Sequence, residues 1–436
     1  MGSKPLVPKL RFPEFRDAPG WPEEPFTHLY RFAPSNTFSR DQLNYTSGTV
    51  KNIHYGDIHT RFQALFDIRR ETVPYINSAD LTSEPGLGTL CEHGNMIFAD
   101  ASEDVADVGK SIEVVELDGQ RLVSGTHTIL AKQRGSRLIV GFGGHLFRSP
   151  RIRARIRRES QGAKVLGLSP GRLATIPVSF PSDQAEQNRI AECLTSLDEL
   201  IATEGRKLEA LRTHKKGLLQ YLFPREGETT PRLRFPEFSD AEGWEELQLQ
   251  QIARPVSDRA VTGDGDNVLS LSGEHGLVLQ SDYFGKKVAG DSADRYLKLL
   301  RNDFVYNDRT TKASPFGTIK RLSKYSGGIV SPIYKCFRFH AAEHAVFWEW
   351  YFESGSHDAQ LSSLANEGAR AGRFNISISQ FLSTRAWRPA EPEQRKIAEC
   401  LTSLDRLIEA EGRRLEALRV HQHGLMQVLF PSPESL

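Results

Sequence analysis

Residues Ile190 to Pro224 read IAECLTSLDELIATEGRKLEALRTHKKGLLQYLFP, and Ile397 to Pro431 read IAECLTSLDRLIEAEGRRLEALRVHQHGLMQVLFP. The two stretches are identical at 26 of 35 positions, with Ile190 aligned on Ile397 and no gap between there and the closing proline. In the first copy apolar residues step by threes and fours through Ile190, Leu194, Leu197, Ile201, Leu208, Leu211, Leu218 and Leu222. The second repeats the series at Ile397, Leu401, Leu404, Ile408, Leu415, Leu418, Leu425 and Leu429. Such spacing turns one seam of a helix toward a partner. Each helix of about 38 residues would be about 57 Å long at 1.5 Å per residue, and Pro224 and Pro431 stop it. Glu204 and Lys215, matched by Glu411 and Gln422, fall on the seam as polar residues that would cost stability but fix register. Gly205 and Gly217, repeated at Gly412 and Gly424, are unusual inside helices and suggest close approach or a bend. Exact repetition of the seam favours two equivalent helices packed on each other about a pseudo-twofold axis over two ordinary core helices.

Working outward, PKLRFPEF (Pro8 to Phe15) returns as PRLRFPEF (Pro231 to Phe238), and each copy runs on to a Gly-Trp pair, Gly20-Trp21 and Gly243-Trp244. Residues 22–180 and 245–388 show no comparable identity, and the first of these inserts is the longer. The chain therefore alternates constant frame and variable insert. At 436 residues it exceeds what one core supports. The boundaries read as a first domain at 1–180, a first repeated helix at 181–224, a linker and second domain at 225–388, and a second repeated helix at 389–431.

The inserts read as α+β domains. Short apolar runs bounded by Gly, Asp or Ser, at Asn95–Ala99, Thr126–Ala131, Arg137–Phe142, Phe304–Asn307 and Gly327–Tyr334, predict strands. Ser149-Pro150 is a helix-start signal for Arg151–Ser160, and an apolar aromatic series predicts a helix over Ala341–Phe352.

Lys plus Arg (56) balances Asp plus Glu (55), so any charge for a nucleic acid must be local. The strongest candidate is RSPRIRARIRRES, with Arg148, Arg151, Arg153, Arg155, Arg157 and Arg158, followed by Lys164. On a helix Arg151, Arg155 and Arg158 share one stripe, and guanidinium groups so placed suit phosphates or guanine edges; a solvated basic face is the bland alternative. In the second insert Asn307, Arg309, Lys312, Lys320, Arg321, Arg370 and Arg373 lie in Gly- and Asn-bearing stretches that suit close approach to a backbone or base edge, or serve as ordinary loops.

No catalytic constellation is evident. VGFGGH (Val140 to His145) lacks the spacing and the following helix of a dinucleotide-binding turn, and Asp100, Glu103, Asp104 and Asp107 lack the order of a calcium loop, so a solvated loop is favoured. Walker A, HExxH, GxSxG and the Asn-Pro-Pro-Tyr type of motif are missing. Four scattered cysteines, Cys91, Cys193, Cys336 and Cys400, argue against a zinc site or a disulfide framework and fit a reducing cytoplasm. No apolar run approaches a membrane span, and MGSKPL carries no secretory or myristoylation signal, so a soluble, cytoplasmic protein is expected.

The chain resembles the specificity subunits of type I restriction-modification enzymes. The resemblance rests on PSDQAEQNRIAECLTSLDELI (Pro181 to Ile201) and PAEPEQRKIAECLTSLDRLI (Pro389 to Ile408), which match that family's P…EQ…IA…L…LD…I pattern twice at half-chain spacing, and on LRFPEF before each domain. It implies two mixed α/β target-recognition domains, each reading one half of a bipartite, asymmetric DNA site, and an antiparallel coiled coil of the repeated helices that sets the gap. It further implies double-stranded DNA as ligand, two methyltransferase subunits beside the helices, and restriction and translocase subunits. S-adenosylmethionine, ATP and Mg would sit on those partners and no cofactor or metal on this non-catalytic chain. A non-catalytic coiled-coil adaptor for protein partners is the alternative that neutral charge and the leucine seam leave open.

Overall fold

The computed structural model describes residues 5–81, 84–261, 267–281, 295–312, 314–365 and 374–432. The chain divides into two compact units, Met1–Gly205 with Arg413–Leu436, and Arg206–Gly412. The division falls inside the repeated helices rather than at their ends. Unit 2 is a continuous stretch of chain, whereas unit 1 is assembled from its two ends.

In unit 1 the main sheet holds β1 (Tyr30–Ala33), β2 (Leu65–Asp67), β3 (Met96–Ala99), β4 (Ser111–Glu116) and β5 (Thr128–Gln133), in the order β1-β5-β3-β4-β2. Pairing is antiparallel except between β2 and β4. Val114, Ile97, Leu130 and their neighbours form a core on one side, while Phe98, Met96 and Ala131 face a larger core holding Phe142, Leu146 and Phe147. The alternation follows from the period-two geometry of strands. Helices α1 (Tyr55–Thr60), α2 (Phe142–Arg148) and α3 (Pro150–Glu159) flank this sheet. The run RLIVGF, expected as a strand, instead leads into α2, so a helix does follow the glycine turn. Gly141 takes φ +96° at its N-cap, and a Cβ on Gly144 would lie 2.7 Å from the Ala64 carbonyl oxygen, so the helix seats closely only because that position is glycine.

In unit 2 an antiparallel sheet joins β6 (Ala253–Pro255), β7 (Phe304–Asn307), β8 (Thr318–Arg321) and β9 (Lys335–Phe339) in the order β6-β9-β7-β8. Its Phe304 and Phe337 pack with Trp348 and Tyr351 of α4 (Ala345–Glu353). The run expected as a strand over Gly327–Tyr334 is strand only through Val330.

The two repeated helices are α5 (Gln184–Tyr221) and α6 (Glu391–Leu429). Within each unit one end of α5 runs antiparallel to one end of α6. Ile190 and Leu194 of α5 join Leu429 and Phe430 in the core of unit 1, and Ile397 and Leu401 of α6 join Leu222 and Phe223 in that of unit 2. Leu208 and Leu415 are buried further along. Leu197, Ile201, Leu211 and Leu218, with Leu404, Ile408, Leu418 and Leu425, are half-buried.

The polar seam residues find partners across the pair. In unit 1 Gln422 donates to Asp198, and Arg414 meets Glu204 at 3.0 Å. In unit 2 Lys215 donates to Asp405, and Lys207 meets Glu411 at 2.5 Å. The repeat that aligns Ile190 with Ile397 carries each contact of one unit onto a contact of the other: Asp198 onto Asp405, Lys215 onto Gln422, Glu204 onto Glu411 and Lys207 onto Arg414. The glycines inside the long helices do not serve close helix approach: a Cβ on Gly205, Gly217, Gly412 or Gly424 meets nothing within 4 Å.

The repeated frame motif locks onto the start of each long helix. Arg11 places its guanidinium 2.8 and 2.5 Å from Glu186, and Arg234 does the same to Glu393 at 2.9 and 2.6 Å. Trp21 packs edge-on against Phe430, and Trp244 against Phe223. A short strand after each Gly-Trp pairs with the strand just before the long helix, Glu23–Pro25 with Pro177–Ser179 and Glu245–Gln248 with Arg385–Arg388.

Candidate nucleic-acid interface

The arginine-rich segment forms α3, begun by Pro150 in its first turn. Two of the three stripe residues, Arg151 and Arg155, face inward. Arg151 is 6% and Arg155 7% exposed. Both reach Glu23, at 3.1 and 2.7 Å, and they also donate to the carbonyls of Ser432 and Pro177. Arg148 donates to the carbonyls of Ser111 and Phe62, and Arg153 to those of Ala106 and Val108. Burial pushes the Arg148 and Arg153 pKa values down to about 10, which leaves both cationic at neutral pH. The expectation is therefore corrected for Arg148, Arg151, Arg153 and Arg155: they tie α2 and α3 to their own domain, since a buried guanidinium must satisfy its donors locally. Arg157 and Arg158, in the last turn of α3, and Lys164 are exposed.

In unit 2 Asn307 ends β7, where its side-chain oxygen accepts from the Arg309 backbone N–H at 3.2 Å. Arg309 and Lys312 are exposed. Lys320 is held by Glu353 at 2.7 Å, and Arg321 by Glu349 at 2.6 Å and by Asn302 at 2.7 Å. Asn307, Arg309 and Lys320 line one groove of about 580 Å³ with Thr311, Ser314 and Thr318. Arg370 and Arg373 lie outside the described residues.

Of the acidic series after β3, Asp104 accepts from the Ala106 N–H, Asp107 stands 3.5 Å from Lys110, and Asp100 stands 3.3 Å from His127.

Sequence inspection passed over a second basic patch in unit 1. The Asp57 carboxylate on α1 is 3% exposed, and two outer arginines converge on it, Arg40 at 3.2 Å and Arg61 at 3.6 Å. Arg61 donates to the Tyr45 hydroxyl at 3.3 Å and lies over that ring, 5.9 Å from its centroid. Arg40 also approaches His54 Nδ1 at 3.2 Å. Tyr55 packs 4.7 Å from the ring of His54 and edge-on, at 5.3 Å, to that of His127. Burial and the neighbouring Arg40 hold the His54 pKa below its ordinary value, so its Nδ1 is free to accept from Arg40 and from the Gly56 N–H. The available signal was NIHYGDIHTR (Asn52 to Arg61), unusually dense in His, Tyr and Arg, although its partners Arg40, Tyr45 and His127 lie elsewhere in the chain.

Two α+β units, each closed by a pair of strands and gripped by paired long helices, define a helix-framed two-domain protein. The chain shares this fold with type I restriction-modification S subunits. It is similar to the "Type-I restriction-modification system S subunit from M. genitalium" with a TM-score of 0.56 and 12% identity, over 98% of this chain and 100% of that one. A second similar structure, described as "Structural basis underlying complex assembly and conformational transition of the type I R-M system", has a TM-score of 0.52 and 12% identity, over 94% of this chain and 98% of that one. No family model and no curated protein matches the sequence. No helix among the described residues is long and apolar enough to cross a membrane.

Proposed function

We propose that this chain is the DNA sequence-specificity subunit of a type I restriction-modification complex. Each variable domain reads one half of a bipartite, asymmetric site. The paired helices set the gap and dock two methyltransferase subunits that carry S-adenosylmethionine. Restriction subunits using ATP and Mg complete the complex in the cytoplasm, where the four free cysteines stay reduced. The chain itself supplies specificity and no chemistry. The observation that carries this reading is the recurrence of one frame around two unlike inserts, in a fold that aligns with an S subunit along 98% of the chain. Helices of about 57 Å can hold two reading heads one to two DNA turns apart, at roughly 34–36 Å per turn. Unlike heads then read unlike half-sites. Methylation requires the target adenine out of the stack, which explains why a separate subunit grips the duplex on both sides.

Mapping methylated adenines in the host genome tests the proposal: a single two-part asymmetric motif is expected. Exchanging residues 22–180 for another family member's segment changes one half of that motif, and a change in both halves refutes the modular reading. Duplex binding that is independent of salt would instead favour the protein-adaptor reading, because phosphate contacts release counterions.

A further inference from the structure

Arg148, Arg151, Arg153 and Arg155 are consumed inside unit 1, so most of the arginine-rich segment does not face a ligand. We propose that Arg40, Tyr45, Arg61 and His127 form the sequence-discriminating contact face of unit 1, with Asp57 as the residue that positions the two guanidinium groups. The inference rests on the DNA-reading function proposed above and assigns it to named side chains.

Three independent features of the patch support it. Exposed arginines ordinarily sample many rotamers, yet Arg40 and Arg61, 52% and 41% exposed, are both anchored to one buried carboxylate. Anchoring removes rotamer freedom before a ligand arrives, and each guanidinium has more N–H donors than the anchoring contact uses. Phosphate contacts do not require that fixity, whereas bidentate pairing with the O6 and N7 of guanine does. Tyr45, half-exposed beside Arg61, and the Tyr55–His54–His127 ring cluster supply flat surfaces next to the cations. Finally, His127 holds φ +58° on the turn before β5. That left-handed conformation is strained for a residue with a Cβ, and glycine would adopt it freely. The histidine kept there at a conformational cost stands 3.3 Å from Asp100 and against Tyr55, yet leaves its side chain 56% exposed, within reach of a ligand. All of these residues lie in the first variable insert, the part that must differ if unit 1 reads its own half-site.

The experiment is selection of bound duplexes from a pool of randomised sequence by the full chain, followed by sequencing. Wild type, Arg40→Ala, Arg61→Ala and Arg61→Lys are compared, with Asp57→Asn as a further variant. The exposed arginines can be replaced without opening the core, and the Trp21 signal of each variant reports that unit 1 remains folded. Expected is a loss of about tenfold to a hundredfold in base preference at positions of one half-site, with the other half-site unchanged. Arg61→Lys keeps the charge and is expected to lose preference as Arg61→Ala does. If the wild type selects a bipartite sequence and both alanine variants select it with unaltered preference, the assignment is overturned while the DNA-reading function stands. Selection of no sequence by the wild type overturns both.

Discussion

Glu113 and His145 bury opposite titrations in unit 1, and between about pH 4.5 and 6.5 the slopes they give its stability should cancel. Burial raises the Glu113 pKa from 4.5 to about 7, despite the Gly144 N–H that donates to it at 2.7 Å. Burial, with Arg148 nearby, lowers the His145 pKa from 6.5 to about 3. Between about pH 4.5 and 6.5 the folded state holds the Glu113 proton that the unfolded state has released, so this group's contribution falls by roughly 1.4 kcal/mol per pH unit as pH rises. In the same window the unfolded state protonates His145 and the folded state does not, so that contribution rises by the same slope. The Glu113 contribution is fully present below pH 4.5 and lost as pH rises through about 7, about 3 kcal/mol in all. The His145 contribution is fully present above pH 6.5 and lost as pH falls toward 3, about 5 kcal/mol in all. Glu113→Gln keeps an acceptor for the Gly144 N–H, and His145→Gln keeps a group for Thr195, which meets His145 at 3.0 Å. Trp21 is the only tryptophan in unit 1, so urea unfolding followed by the fluorine resonance of 5-fluorotryptophan at that site isolates this unit. Relative to wild type, Glu113→Gln should become more stable as pH rises from about 5 to 6.5, and His145→Gln less stable. Parallel pH profiles for wild type and Glu113→Gln would refute the buried neutral carboxyl.

Arg11→Met leaves Glu186 buried without its partner and should cost about 3–5 kcal/mol, whereas a double change with Glu186→Leu recovers much of it; a double-mutant cycle on unit 1 unfolding measures the coupling. Phe430→Ala and Phe223→Ala should each cost about 3–5 kcal/mol, and hydrogen exchange should place the first loss in unit 1 and the second in unit 2. Gly205→Ala and Gly412→Ala meet open space and should each stabilise the helices by up to about 1 kcal/mol in thermal melts. Arg151→Ala should lower the stability of unit 1, not act selectively on DNA; unchanged melting with weakened binding would return that arginine to the interface.

What could be read from sequence depended on whether the deciding contact was local. The helices were legible because a seam that recurs half a chain later specifies both a period and an internal partner, and Phe304–Asn307 was legible as a strand because a short apolar run between turns leaves few alternatives. Two of the three stripe arginines, Arg151 and Arg155, were misread for a physical reason. Periodicity tells which residues share a face and not what meets that face, and Glu23, which draws Arg151 and Arg155 inward, lies near the other end of the domain's sequence. RLIVGF failed similarly, since the apolar run does not disclose that Gly144 lets a helix seat against Ala64. The patch around Asp57 is assembled from three separate segments, so no window of sequence contained it.

The frame grips its unlike inserts through apolar packing of the long-helix ends and, at one repeated pair of glutamines, through main-chain groups of the insert. The Gln187 side chain donates to the carbonyls of Arg137 and Pro181 and accepts from the Ile139 N–H. Gln394, its counterpart, donates to the Pro389 carbonyl and accepts from the His344 N–H. Arg11 and Arg234 each hold two carbonyls of the frame itself, just before the Gly-Trp pair: Ala18 and Pro19 in one case, Ala241 and Glu242 in the other. The strand pair that closes each domain joins the two ends of its insert by backbone contacts. A main-chain contact is indifferent to the side chain that departs from it, so the glutamine contacts tolerate substitution at Arg137, Ile139 or His344 provided the path of the chain there is kept. The Glu-Gln pair that opens each long helix thus has a structural task in both members: the glutamate holds the frame arginine, and the glutamine holds the insert.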